Sequence, residues 1–211
     1  MLKIWGRTTS SNVQKLLWFC EEVGIPYERI DAGLAFGVTK TSEYLAMNPN
    51  ALIPTIDDEG FVLWESNTIL RYLASKHRCF TWYSQNLQQR AQIEKWMDWS
   101  NSSLGAAITP LMWQLFRTPP EQRDHKLLLS SAEKSTLMIN ILEAHFAKNL
   151  YAVGDTPTLA DIPIAIQAYR WTVMPWAQLN YEAPERPQVQ AWLGRLAERK
   201  IFRETVMIGL S

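Results

Sequence analysis

The segment NALIPTIDDEGFVLWESNTI, residues 50–69, admits few folds. IPTI and FVLW read as two short strands, and the acidic turn DDEG between them makes a hairpin. Pro54 stands at the entry of the first strand. It has no N–H for a ladder bond, so a sheet tolerates it only at an edge or a strand start. WES then passes at once into helical spacing. Ser66 is positioned to cap a helix over about residues 66–76, with Ile69, Leu70 and Leu73 on one face.

The segments before it complete the pattern. LKIW alternates as a strand. In SNVQKLLWFCEEVG, Val13, Leu16, Leu17, Cys20 and Val23 recur at three- and four-residue steps, and Gly24 ends the helix. YERID is a second strand, AGLAFGVTK a loop, and TSEYLAM a short helix stopped by NPN. The first two strands are joined through a helix and should be parallel; the hairpin strands should be antiparallel. The expected fold is α/β followed by all-α. Residues 1–79 form a thioredoxin-like domain with a mixed four-stranded sheet, and residues 88–211 form an all-helical domain. In the second part, Thr118, Pro119 and Glu121 make a capping box opening a long helix. Thr158 and Asp161 have the same spacing, with a start at Asp161 as the alternative. Pro163 is expected to remove one backbone bond near that helix's first turn. The last helix is expected over about 188–199.

Charge narrows the partners. The chain has 21 Lys+Arg against 21 Asp+Glu, so no excess cation is available for nucleic acid or an anionic membrane. No stretch approaches the roughly 18 apolar residues of a membrane helix, and the opening MLKIWGRTTS lacks a signal-peptide run. Cys20 and Cys79 share no motif spacing, which points away from a disulfide framework or a zinc site and toward a reducing cytoplasm. Most of the ten Trp lie after position 80, where they serve a core or a planar apolar ligand.

Three short elements carry chemistry. Pro54 is either an ordinary strand-start proline or the site of a cis peptide that turns the Ile53 backbone outward to pair with an extended peptide. Glu65-Ser66 is either a plain helix cap or a match for a zwitterion, with the helix start taking the carboxylate and Glu65 the ammonium. In GRTTSSNVQK, Ser11 and Gln14 form a capping box, which leaves the Ser10 hydroxyl free beside Asn12. A thiol placed there is favoured as thiolate by helix-terminal N–H groups. The loop itself holds no cysteine, so the thiol must come from a ligand.

These residues together resemble a cytosolic bacterial glutathione transferase over essentially the whole chain. The resemblance rests on Ser10, Asn12 and Lys15 in a Ser-x-Asn-x-x-Lys loop, on NPNALIP, on WESNTI, and on TLADIPIA in the helical half. The GR…SNVQK, EKWMDW and RTPPE pieces look most like a bacterial subgroup near the theta and nu classes. The resemblance implies glutathione as co-substrate, no metal, and conjugation of its thiolate to a small electrophile. Pro54 would be cis, with the Ile53 backbone on the cysteinyl part, Glu65 and Ser66 on the γ-glutamyl zwitterion, and Ser10 and Asn12 on the thiolate. Lys40 would reach the glycyl carboxylate or stand solvated in its loop. Trp113, Phe116 and Trp171 are candidates for the electrophile wall, or core. A homodimer is implied, in which Asp98 reaches a partner's site or stays a solvated or capping residue. Ala51-Leu52 departs from the commoner Gly-Lys or Gly-Gln. A glutathione-dependent peroxidase or disulfide reductase, and a non-catalytic interaction protein of the same fold, are the alternative functions.

Overall fold

The structure, a computed structural model, describes residues 1–210. Its first part runs β1 (Leu2–Trp5), α1 (Ser11–Val23), β2 (Tyr27–Ile30), α2 (Ser42–Met47), β3 (Thr55–Asp58), β4 (Phe61–Trp64) and α3 (Ser66–Lys76). The strands form one sheet in the order β2-β1-β3-β4. The β1–β2 pair is parallel, and β1–β3 and β3–β4 are antiparallel. Leu2 and Ile4 alternate inward on β1 and meet the buried face of α1, where Val13, Leu16 and Cys20 have no exposed surface or almost none.

The helical part comprises α4 (Leu87–Trp99), α5 (Ala106–Phe116), α6 (His125–Phe146), α7 (Asp161–Thr172), α8 (Pro187–Ala197) and α9 (Lys200–Thr205). A π-helical turn over Ser100–Gly105 joins α4 to α5. A Cβ at Gly105 would lie 2.9 Å from the Ser100 carbonyl oxygen, so this wide turn closes only around glycine. No helix among the described residues is long and apolar enough to cross a membrane.

Several helix starts differ from the sequence expectation. Ser10, not Ser11, is the N-cap of α1, and neither closes a capping box. The Gln14 side chain instead donates to the Thr205 carbonyl at 3.0 Å, because it lies on the buried face that meets α9. Ser66 is the first residue of α3, and Glu65 is its N-cap at φ 73°. The long helix α6 is capped by Asp124, whose Oδ1 accepts from the Leu127 N–H at 2.9 Å. Thr118 does not open it. Arg123 donates to the Thr118 and Leu115 carbonyls and ties this stretch to the end of α5, so Pro120–Gln122 form only a 3₁₀ turn. α7 starts at Asp161, which makes Pro163 its third residue. The missing N–H there belongs to the helix start, which has no intrahelical partner in any case, so no bond is lost. The terminal segment holds two helices, α8 and α9, where one was expected.

Candidate functional site

The Ile53–Pro54 peptide is cis. The corner around it is tied down from α2. The Tyr44 hydroxyl donates to the Leu52 carbonyl at 2.6 Å and bonds Thr55 Oγ1 at 2.8 Å, and Asn48 Nδ2 donates to the same two acceptors. Ala51, just before the corner, has φ 55°. That left-handed conformation suits glycine, which explains why glycine is the commoner residue there; alanine adopts it at a cost of roughly 1–2 kcal/mol.

Three adjoining cavities run along the cleft between the sheet part and the helical part. The first, about 370 Å³, is lined by Ser11, Asn12, Glu65, Ser66, Asn101 and the α5 start. The second, about 280 Å³, shares Ser11 and Asn12 with it and adds Ser10, Arg7, Ile53, Trp113, Arg117 and Arg170. The third, about 790 Å³, continues from Arg7, Leu52, Ile53 and Trp113 to Lys40 and the loop at Gly33. The Glu65-Ser66 pair, the Ser10–Asn12 loop and the Lys40 loop thus follow one another along one groove. Pro54 is buried and lines none of the three cavities, while its neighbour Ile53 lines two of them.

Lys15 is the buried centre of this arrangement. Its ammonium donates to Ser66 Oγ at 3.1 Å, Asn67 Oδ1 at 3.2 Å and Asn101 Oδ1 at 3.0 Å, three acceptors for three N–H bonds. Burial pulls its pKa down to about 7 against the opposing pull of the Glu65 carboxylate. Ser66 Oγ accepts from Lys15 and donates onward to Asn12 Oδ1 at 3.3 Å. This takes up the carbonyl end of Asn12 and leaves its NH₂ donors for the cleft. Ser10 is buried beside it, at the N-terminus of α1. In the sequence Lys15 stands out only as part of the Ser-x-Asn-x-x-Lys loop; the signal for its burial is a lysine inside the apolar run of α1. Arg7, Arg117, Arg170 and Asn101 were missed, because they come from four separate segments.

The aromatic candidates separate. Trp113 is 53% exposed and lines the second and third cavities, and Phe116 is 36% exposed and lines neither. Trp171 is a core residue, buried and packed against Trp176 at 5.3 Å, which removes it as an electrophile wall. Asp98 pairs with Arg71 of its own chain. Cys20 is buried and its thiol is pushed up to about 12, and neither cysteine lines the three cavities.

Residues 1–75 match the family "Glutathione S-transferase, N-terminal domain", and residues 104–200 match "Glutathione S-transferase, C-terminal domain". The chain is 38% identical to glutathione S-transferase GstB of Escherichia coli K12 over 213 aligned residues, covering 100% of both. It is 32% identical to glutathione S-transferase 3 of Zea mays, covering 97% of this chain and 93% of that one. A theta class glutathione S-transferase of Xanthomonas axonopodis pv. citri, solved with glutathione bound, superposes with a TM-score of 0.92 at 39% identity, covering 100% and 99% of the two chains. With a mixed sheet, an all-helical second part and full-length relatives all in agreement, the chain belongs to the glutathione S-transferase family.

Proposed function

We propose that the protein binds reduced glutathione along the three cavities and transfers its thiolate to small electrophiles. The observation that carries this reading is the order of groups in the groove. Glu65 and Ser66 at one end suit the γ-glutamyl ammonium and carboxylate. Ser10 and Asn12 in the middle suit the sulfur, with the Ile53 backbone alongside the cysteinyl unit. Lys40 at the far end suits the glycyl carboxylate. A tripeptide with two charged ends and a central thiol matches that sequence of partners.

In this mechanism the protein contributes position and electrostatics. The unpaired N–H groups at the start of α1, the Ser10 hydroxyl and the Asn12 amide favour the thiolate over the thiol. Proximity of the bound electrophile does the rest. Trp113 supplies the apolar wall of the electrophile side. We assign residues 1–79 as the glutathione-binding domain and residues 88–211 as the helical domain that completes the electrophile side. A homodimer working in the cytoplasm completes the reading.

Isothermal calorimetry with reduced glutathione tests the proposal. Binding is expected, and Glu65→Ala should weaken it by about 1.5–3 kcal/mol through loss of a charge-assisted bond. No heat of binding at millimolar glutathione would sink it.

A further inference from the structure

Lys15 is an ammonium in an apolar setting. It lies between Gln14 and Leu16 on the buried face of α1 and is 1% exposed. A buried charge is costly unless its N–H groups are bonded. Here they go to neutral oxygens on two elements: Ser66 Oγ at 3.1 Å and Asn67 Oδ1 at 3.2 Å on α3, and Asn101 Oδ1 at 3.0 Å on the π-helical turn. Asn67 turns its oxygen to the ammonium and its Nδ2 to the Met97 carbonyl, to which it donates at 2.8 Å.

An ammonium donates and cannot accept. Ser66 Oγ therefore accepts from Lys15, and its single proton goes to another partner, Asn12 Oδ1 at 3.3 Å. Asn12 stands exposed in the first turn of α1 and lines both smaller cavities. With its carbonyl oxygen held by Ser66, its NH₂ is the end offered to the cleft. Without the ammonium the same contact works in reverse. The Asn12 amide then donates to Ser66, and its carbonyl oxygen faces the cleft, where it repels a thiolate. The two arrangements differ in the direction of one hydrogen bond, and a group that only donates selects between them.

Charge in the glutathione complex favours that donor form. The Glu65 carboxylate already raises the pKa of Lys15 against the effect of burial. The γ-glutamyl carboxylate, met by the unpaired N–H groups at the start of α3, would stand beside Ser66, the residue that Lys15 touches, and adds to that pull.

We propose that Lys15 is a positioning residue for the transfer: through Ser66 it fixes which end of the Asn12 amide meets the glutathione sulfur, so one buried ammonium sets both the γ-glutamyl end and the thiolate position. This rests on the glutathione reading.

The test uses the full-length protein saturated with glutathione and reads thiolate absorbance against pH. Four proteins form a cycle: the unsubstituted chain, Lys15→Met, Asn12→Ala, and the double variant. Lys15→Met should raise the pKa of the bound thiol by about half a unit or more. In the Asn12→Ala background the same substitution should shift it by less than about 0.2 units, because the group through which Lys15 acts is gone. An equal shift in both backgrounds would mean that Lys15 acts by its field or by general loosening, and overturns the proposal. So does the absence of a shift in the single variant. The unsubstituted protein gives a reading that does not depend on any variant folding. Neutron diffraction from its glutathione complex in heavy water should place deuterium on the Asn12 atom facing the sulfur and on Ser66 Oγ toward Asn12. Deuterium on the Asn12 atom facing Ser66, with its bare oxygen toward the sulfur, overturns the proposal while leaving the glutathione reading intact. Failure of the unsubstituted protein to bind glutathione overturns that reading, and this proposal with it.

Discussion

At the scale of single residues, the start of α1 decides the chemistry. Ser10 is the N-cap, yet its hydroxyl makes no capping bond, so it remains available to a ligand sulfur. Ser11, the first helical residue, also lines the cleft and makes no capping bond. Removing the Ser11 hydroxyl should therefore leave stability within a few tenths of a kcal/mol, rather than cost the roughly 1 kcal/mol of a lost cap. If Ser10 and Asn12 hold the thiolate, Ser10→Ala and Asn12→Ala should each raise the pKa of bound glutathione. A rise of one unit corresponds to about 1.4 kcal/mol. Thiolate absorbance against pH in the bound complex measures this for all three variants. A larger shift in Ser11→Ala than in Ser10→Ala would move the role to Ser11.

At the scale of elements, the start of α7 is the best-anchored helix terminus. Asp161 has no exposed surface, and four donors converge on it. The Ala152 N–H and Trp192 Nε1–H reach Oδ1, and the Thr158 N–H and hydroxyl reach Oδ2, at 2.9–3.2 Å. The carboxylate thus binds the 3₁₀-like entry, the preceding loop and α8 to one point. Burial pushes its pKa up to about 6 against these donors, so it is ionised at pH 7 and above. In Asp161→Asn, one amide N–H faces donors where an acceptor stood. The expected loss is about 2–4 kcal/mol at pH 7.5, measured by urea unfolding. A loss under about 0.5 kcal/mol would mean that the donors find other partners and that α7 does not depend on this anchor.

At the scale of the whole molecule, α1 fastens the two parts together. Lys15 reaches Asn101, Gln14 reaches Thr205, Glu22 pairs with Arg199 at 2.7 Å, and Arg170 reaches back to Thr9. The cleft is therefore bordered by bonds that cross between the parts. Lys15 makes this junction sensitive to pH. Its pKa is about 7 in the folded protein against an ordinary 10.5. Below pH 7 both folded and unfolded chains hold the proton, and the burial penalty is complete. Between the two values the unfolded chain holds a proton that the folded one lacks, so stability rises with pH across that window. Urea unfolding of the wild type and Lys15→Met at pH 6, 8 and 9.5 reads the effect. The wild type minus variant difference should move in favour of the wild type as pH rises. A flat difference would show that its three acceptors keep Lys15 charged throughout.

Much of this architecture was legible from local pattern. The strand and helix order, the parallel and antiparallel pairings, and the switch to helices after the sheet followed from periodicity and turn residues. These depend on nearest neighbours and on one buried face per element. Ser10, Asn12, Glu65 and Ser66 were legible as a group because each sits at a helix start, where unpaired N–H groups make a site for anions. Which serine caps α1, and which residue opens α6, were not legible. Candidate caps differ by about 1 kcal/mol or less, and distant partners such as Thr205 for Gln14 and Leu115 for Arg123 outweigh that difference. The arginine cluster and the Lys15 junction were also beyond local reading. Arg7 follows β1, Arg117 ends α5 and Arg170 lies on α7. Nothing in their local sequence distinguishes them from solvated cations. Only the packing of the helical part against the sheet part brings them to the wall of one cleft.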